Sequence, residues 1–363
     1  MSTVVVKVGT SSITSGIGEI EVAAIEKLCR EVAALRAGGH RVVLVTSGAI
    51  AAGLPALGLR SRPADLAILQ AVSAVGQSRL MRVYDDVFAG LDLVSGQVLL
   101  APLDFVHRSQ YLHARQTLDR LLDLGVVPIV NENDAIADDE IRFGDNDRLA
   151  ALVAQLVGAS TLVLLTDTPG MFTADPRLDE EASLIEEIVE IDHELERLAG
   201  GTGTDRGSGG MASKLAAAKI AAWSGVRAVI AGAARPAVLA DAVAGAPGVG
   251  TVVRPRERRL PARKVWIAFA VGAAGTVVVD DGARTALVER HTSLLPAGVV
   301  DVAGAFDADD AVEIAGADGR VFAKGLVRHP AARVKEWAGR RTSDLPADVP
   351  HEIVHRDDLV VLP

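Results

Sequence analysis

Two short runs decide the fold: Val4-Val5-Val6-Lys7-Val8-Gly9-Thr10-Ser11-Ser12 and Arg41-Val42-Val43-Leu44-Val45-Thr46-Ser47-Gly48. Each opens with aliphatic, mostly β-branched residues and closes in small, glycine-containing sequence, the pattern of a buried strand that stops at a turn. Between them Val22, Ile25, Leu28, Cys29, Val32 and Leu35 recur at three- and four-residue intervals until Gly38 and Gly39 end the helix. Strand, helix and strand in that order predict a βαβ unit, and with it a parallel sheet. The alternation continues outward, with strands expected over residues 97–100, 126–130, 162–166 and 228–231 and a long helix over 65–86.

Composition agrees with this α/β reading. Aromatic residues make up only 3% of the 363 residues while apolar residues make up 49%, so the core is built from small aliphatic side chains, as suits helices packed on a sheet. That length predicts about two domains. The alternation breaks at 254–264, a stretch of arginine, proline and glutamate that reads as an exposed linker. From Gly275 short strands and turns follow, with strands at 276–279, 299–302, 312–315 and 321–325 and a helical segment at 283–289. The expected domains are thus 1–258 and 275–355, joined by 259–274, the second being a small β-rich module.

A formal net charge of −10 gives no general attraction for nucleic-acid backbones or anionic membranes. The one cysteine, Cys29, sits at an apolar helical position and cannot form an internal disulfide. No basic segment followed by an apolar run precedes the first strand, and no run of ~18 uncharged apolar residues is present, so neither a signal peptide nor a membrane span is expected. A reducing cytoplasm fits these features. No pair among the eight histidines has metal-ligand spacing, and no protein-held metal is expected.

In open parallel sheets ligands gather outside the carboxyl ends of strands, and those positions are rich in polar residues here. Lys7 stands near the end of the first strand, before a small turn; it can contribute a charge to a phosphate, or it can snorkel to solvent. Ser47 opens the next helix, where free amides can bind an anion; a simple helix cap is the alternative. Asn131-Glu132-Asn133-Asp134 and Phe143-Gly144-Asp145-Asn146-Asp147 gather carboxylates and amides that can hold an ammonium group, orient lysines or lie beside a metal-bound nucleotide, or else form a solvated loop. Thr166-Asp167 ends a later strand, with Asp175-Pro176-Arg177 beyond it. Residues 200–213 hold six glycines, and the segment Ser208, Gly209, Gly210, Met211, Ala212, Ser213, Lys214 leads into a helix. Such a loop can lay backbone amides over phosphates and deliver a lysine, although its spacing is not that of a P-loop; the alternative is a flexible linker.

Taken in order, these segments resemble the glutamate 5-kinases of the amino-acid kinase family, and the carboxy-terminal module resembles a PUA domain. The resemblance spans nearly the whole chain. It implies an αβα sandwich around a mainly parallel sheet, and transfer of a phosphoryl group from ATP, with Mg2+ carried by the nucleotide, to the γ-carboxylate of glutamate. Matched by position, it implies that Lys7 and Lys214 flank the transferred group and that Asp147 orients them. It places glutamate on Ser47, Asp134 and Asn146, and the nucleotide along Lys7, Thr166, Asp167 and the segment from Ser208 to Lys214. Ser208 stands where this glycine loop usually carries threonine, and keeps a small hydroxyl. The resemblance further implies the first step of proline biosynthesis, feedback inhibition by proline, a glutamyl-phosphate reductase that uses the product, and a homodimer or homotetramer; because proline and glutamate share an amino-acid backbone, proline is expected to compete at the glutamate site.

A different class, RNA binding, is raised by the PUA-like module and by the cluster Arg333, Lys335, Arg340 and Arg341. From Lys264 onward, however, acidic residues outnumber basic ones, the reverse of an RNA-binding surface.

Overall fold

The strand Thr3–Val8 (β1) is buried along nearly its whole length, and its alternation puts Val4, Val6 and Val8 on one face and Val5 and Lys7 on the other. In the computed structural model, which describes residues 2–105, 108–136, 146–176, 178–179, 181–200, 210–257, 259–346 and 349–362, the chain divides into two units, Met1–Arg259 and Leu260–Pro363. After β1 the first unit runs through α1 (Val22–Ala37), β2 (Arg41–Val45), α2 (Ala49–Ala56), α3 (Leu66–Ala89), β3 (Ser95–Leu100), α4 (Arg108–Asp123) and β4 (Val127–Glu132). It continues through α5 (Asn146–Leu156), β5 (Thr161–Thr166), β6 (Glu187–Ile188), α6 (His193–Gly200), α7 (Met211–Trp223), β7 (Arg227–Gly232), α8 (Val238–Ala244) and β8 (Thr251–Val253).

Among the described residues these strands form one sheet in the order β3-β4-β2-β1-β5-β7-β8-β6. Every neighbouring pair is parallel except β7 with β8. Val4, Val6 and Val8 pack with Ile25, Leu28 and Val32 of α1, Leu80, Tyr84 and Phe88 of α3 and Leu239 of α8, while α5 and α7 cover the opposite face. This is the three-layer α/β arrangement expected from the alternation. The short strands β6 and β8 lie outside the expected set; two or three residues are too few to show a period. The long helix starts where the sequence places it, because Asp65 caps it by accepting from the Ile68 amide, and it runs three residues past the expected end. Cys29 is fully buried in this core, and burial pushes its thiol up to about 12, which suits a packing residue and not a nucleophile.

Helices α2 and α3 cross with their backbones in contact. A Cβ on Gly76 would lie 1.8 Å from the carbonyl oxygen of Ala49, and one on Gly53 would lie 2.1 Å from that of Val72. Neither neighbour is a flexible side-chain tip, so the crossing depends on these two glycines.

The second unit contains α9 (Ala262–Val265), a π-helical turn (Trp266–Ala270), β9 (Gly275–Val279), α10 (Asp281–Arg290), β10 (Val299–Gly304), β11 (Ala311–Gly316), β12 (Val321–Val327), α11 (Ala331–Trp337) and β13 (Val354–Val361). Its sheet has the order β10-β9-β11-β12-β13, with β9 and β11 parallel and the other pairs antiparallel. Val277, Val279, Ile314, Val327, Trp337 and Ile353 lie in its core. Two differences from the sequence reading stand out. Residues 262–270, expected within an exposed linker, are helical and bury Val265 and Ile267 completely, because this apolar run outweighs the charged residues around it. The last strand, β13, pairs with β12 and carries the unit beyond residue 355.

The glycine crossing gives a direct test. Gly76→Ala should cost about 3 kcal/mol through overpacking, lowering the melting temperature of the first unit by roughly 6–12 °C. A melt within about 1 °C of the parent would show that α2 and α3 can separate without loss.

Candidate functional site

Four adjacent strands, β4, β2, β1 and β5, bring polar residues to one edge of the sheet. Asp134 follows β4, Ser47 follows β2, Lys7 lies near the end of β1, and Thr166 ends β5. Neighbouring strands are ~4.8 Å apart, so these positions span roughly 14 Å, with Lys7 in the interior of the row.

Lys7 points to the face covered by α5 and α7, and both helices deliver residues to it. Its Nζ lies 2.6 Å from Asp147 Oδ1, and Lys214 Nζ lies 3.3 Å from Asp147 Oδ2. The Ser213 hydroxyl donates to the same Oδ2 at 3.1 Å. Lys7 and Lys214 are each 4% exposed and Asp147 is 1% exposed, so three ionisable groups share a place almost closed to water. Burial alone would raise the Asp147 pKa, but the charges of Lys7 and Lys214 outweigh it and hold the carboxyl below its ordinary range. Local structure favours the arrangement, since Asp147 lies in the first turn of α5, where a negative charge is stabilised. Lys214 comes from the first turn of α7, whose cap, Gly210, is extended and makes no side-chain cap. Two lysines beside the amino terminus of a helix form a receptor for an anionic group.

Beside this cluster lies a set of neutral polar contacts. Asn146 precedes Asp147 in the chain and donates from Nδ2 to Ser47 Oγ at 3.2 Å. Ser47 is not the cap of α2; that position is taken by Gly48, at φ +96°, and the serine hydroxyl is left for Asn146. Asn146 Oδ1 is buried and has no hydrogen-bond partner among the described residues. Asp134 is 9% exposed, which excludes the solvated-loop alternative at this residue, and Ser73 Oγ donates to its Oδ2 at 2.5 Å. Burial raises the Asp134 pKa, opposed by the Ser73 hydrogen bond and by the charge of Arg62. At the far end of the row Thr166 Oγ1 donates to Asp167 Oδ1 at 3.0 Å.

The structure therefore brings Lys7, Asp147, Ser213 and Lys214 into one cluster, joins Ser47 to Asn146 next to it, and aligns Asp134 and Thr166 on the same sheet edge. Gly210 caps α7, and Met211 and Ala212 form its first turn. Ser208 and Gly209 lie outside the described residues, as do Phe143, Gly144, Asp145 and Arg177. Among the described residues no three His, Cys, Asp or Glu side chains are grouped to hold a metal, and no helix is long and apolar enough to cross a membrane.

Two site residues escaped the sequence reading, Ser73 and Gln77. Gln77 Oε1 accepts from Asn131 Nδ2 at 2.7 Å, and Asn131 Oδ1 accepts from the Glu132 amide at 2.9 Å. The signal was available, because both are polar positions on the face of α3 that otherwise buries Leu69, Val72, Leu80 and Phe88.

Comparison with known proteins places this geometry in context. Residues 2–232 match the amino acid kinase family and residues 275–347 match the PUA domain. Glutamate 5-kinase of Pelobacter propionicus is 43% identical over 363 residues, covering 99% of this chain and 97% of that protein. Those of Geobacter sulfurreducens and Moorella thermoacetica are 44% and 45% identical, each covering 99% of this chain and 97% and 96% of their own lengths. Among solved structures the likeness is limited to fold: isopentenyl phosphate kinase from T. acidophilum superposes with a TM-score of 0.51 at 20% identity, covering 70% of this chain and all of its own. The chain belongs to the amino acid kinase family, within it to the glutamate 5-kinases, and carries a PUA domain after the kinase domain.

Proposed function

We propose that this chain transfers the terminal phosphoryl group of ATP to the γ-carboxylate of L-glutamate, giving L-glutamyl 5-phosphate and ADP. The observation that carries the reading is the buried Lys7–Asp147–Lys214 cluster, in a chain similar along its whole length to glutamate 5-kinases. A glutamate γ-carboxylate is ionised at neutral pH, so the nucleophile needs no general base. The chemical obstacle is repulsion between that carboxylate and the nucleotide phosphates, and the protein answers it with position and positive charge.

In this reading Lys7 and Lys214 stand on either side of the transferred group and stabilise its charge most in the transition state, where it is spread over the equatorial oxygens. Asp147, paired with both, directs the two ammonium groups. The amides of Gly210, Met211, Ala212 and Ser213 at the start of α7, with Lys7, Thr166 and Asp167, receive the nucleotide, and Ser208 and Gly209 precede them in the chain. Two lysines and a helix amino terminus fit a polyphosphate. Magnesium carried with ATP supplies further charge neutralisation when bound. Ser47, Asn146 and Asp134 hold the amino acid, with the Asp134 carboxylate facing its ammonium group. An N-acylated glutamate has no such cation and would leave Asp134 unpaired, which separates the two substrates.

The product is an acyl phosphate, a reactive mixed anhydride, and a glutamyl-phosphate reductase consuming it would complete the next step towards proline. Proline shares the α-ammonium and α-carboxylate of glutamate and is proposed to compete for the same residues. Inhibition by proline should therefore raise the KM for glutamate and leave the maximal rate unchanged; inhibition that saturating glutamate cannot relieve would move the proline site elsewhere.

The reaction is tested by ADP release with glutamate, acetylglutamate and aspartate in parallel, with magnesium present and hydroxylamine to trap an acyl phosphate. Glutamate alone should support turnover, and Lys214→Ala should lower kcat by about 10³-fold, the scale seen when one transition-state donor is removed. Turnover unaffected by loss of Lys214 would exclude the assigned role.

Asp134 gives a second, opposite-signed test. Its folded pKa is raised, so its favourable contribution to stability is complete below the unfolded pKa and is lost as pH rises through the folded value. Above the folded value the ligand-free protein thus carries a destabilising charge. Asp134→Asn should leave the melting temperature at pH 7.5 equal or higher while abolishing the further rise that glutamate gives the parent protein. A lower melting temperature with glutamate stabilisation intact would contradict both halves.

A further inference from the structure

Three polar side chains, Ser73, Gln77 and Tyr84, interrupt the buried face of α3, and each binds a residue at the carboxyl edge of the sheet. Ser73 donates to Asp134 after β4, Gln77 accepts from Asn131 in β4, and Tyr84 shares a 3.0 Å hydrogen bond with Thr46 after β2. Residues four apart lie above one another on a helix, so Ser73 and Gln77 act on neighbouring positions of one strand end. Gly76 lies between them, and its contact with the Ala49 carbonyl leaves α3 no room to roll towards α2. The helix is thereby keyed to both segments assigned to the amino acid, Ser47 at the start of α2 and Asp134 after β4.

At Asp134 the division of labour is specific. The Ser73 hydroxyl engages Oδ2, and no hydrogen bond from the described residues engages Oδ1. Arg62, exposed in the connection between α2 and α3, acts on the carboxylate through its charge and does not fix its rotation. Ser73 is itself only 3% exposed, so water does not substitute readily for its hydroxyl. We propose that Ser73 is a positioning residue for amino-acid recognition: by holding Asp134 Oδ2 it fixes the carboxylate and reserves Oδ1 for the substrate's ammonium group. This rests on glutamate being the substrate. It adds that part of the preference for a free amine comes from α3.

The test compares steady-state kinetics of the full chain with those of Ser73→Ala, Ser73→Cys, Asp134→Asn and the Ser73→Ala/Asp134→Asn double variant, all with saturating magnesium and ATP. Turnover of glutamate by the parent chain is measured first; its absence would remove the substrate reading itself, before any variant is compared. With turnover present, Ser73→Ala should raise the KM for glutamate about ten- to thirtyfold, the loss expected for one hydrogen bond to a charged group, with kcat and the KM for ATP within about twofold. Ser73→Cys keeps the volume with a weaker donor and should fall between, at about three- to tenfold. In the Asp134→Asn background, removing the Ser73 hydroxyl should change kcat/KM for glutamate by less than about twofold, because the group it positions is gone. A KM within twofold of the parent in Ser73→Ala overturns the proposal, as does full additivity with Asp134→Asn. Should Ser73→Ala fail to fold, Ser73→Cys decides, and an unchanged KM there overturns it equally.

Discussion

The Lys7–Asp147–Lys214 cluster is the interaction on which the rest of the first unit depends. Two ammonium groups placed together and almost out of water repel each other and lose hydration, at a cost of several kcal/mol per ion after relaxation. A single carboxylate between them offsets both terms, and its lowered pKa is the same fact seen from the other side. This requires three separate pieces of chain to meet: the end of β1, the first turn of α5 and the first turn of α7. A hydrophobic core of equal volume would be as stable or more so. Stability alone therefore does not account for the arrangement, whereas the proposed binding of an anionic group does.

The sheet order supplies the rest of the logic. Because β1 lies between β2 and β5, a side chain from its end has the β2–β4 edge on one side and the β5–β7 edge on the other. Amides and carboxylates collect on the first side, at Ser47, Asn146 and Asp134. The nucleotide residues assigned above collect on the second, at Thr166, Asp167 and α7. A chain that threaded the same strands in sequence order would not put Lys7 between them. The crossover connections that create this order also bring α5 and α7 over the face to which Lys7 points.

Much of this was legible from residues alone, and the reasons differ from place to place. The strands at 4–8 and 41–46 announced themselves because a buried parallel strand is an uninterrupted aliphatic run, and the following small residues marked their ends. Lys7, Ser47, Asp134 and Thr166 were then singled out by position after strands. What composition and spacing left open was which alternative held. Ser47 could equally have capped α2, and only the left-handed Gly48 in the cap position frees its hydroxyl for Asn146. Residues 262–270 misled because local charge in the preceding stretch suggested exposure, whereas Val265 and Ile267 find partners too distant in sequence for any local pattern to register. Ser73 and Gln77 escaped for another reason: their spacing puts them on the face of α3 that buries Leu69, Val72 and Leu80, but nothing local names the Asp134 and Asn131 partners that make polar residues useful there.

That last case bears on how the site achieves selectivity. Asp134 is costly to keep ionised in a buried position, and nothing in the cluster around Asp147 requires it. In the proposed function its charge becomes favourable when a cation arrives, so a free amino acid would relieve a destabilised carboxylate and an acylated one would not. For this to discriminate, the carboxylate must neither rotate into solvent nor take up a proton readily. The hydrogen bond from Ser73 opposes both, and the glycine contact at Gly76 holds the helix that delivers it. In the proposed reading, recognition of one ammonium group thus draws on packing between α2 and α3, because the residue that holds the Asp134 carboxylate comes from α3.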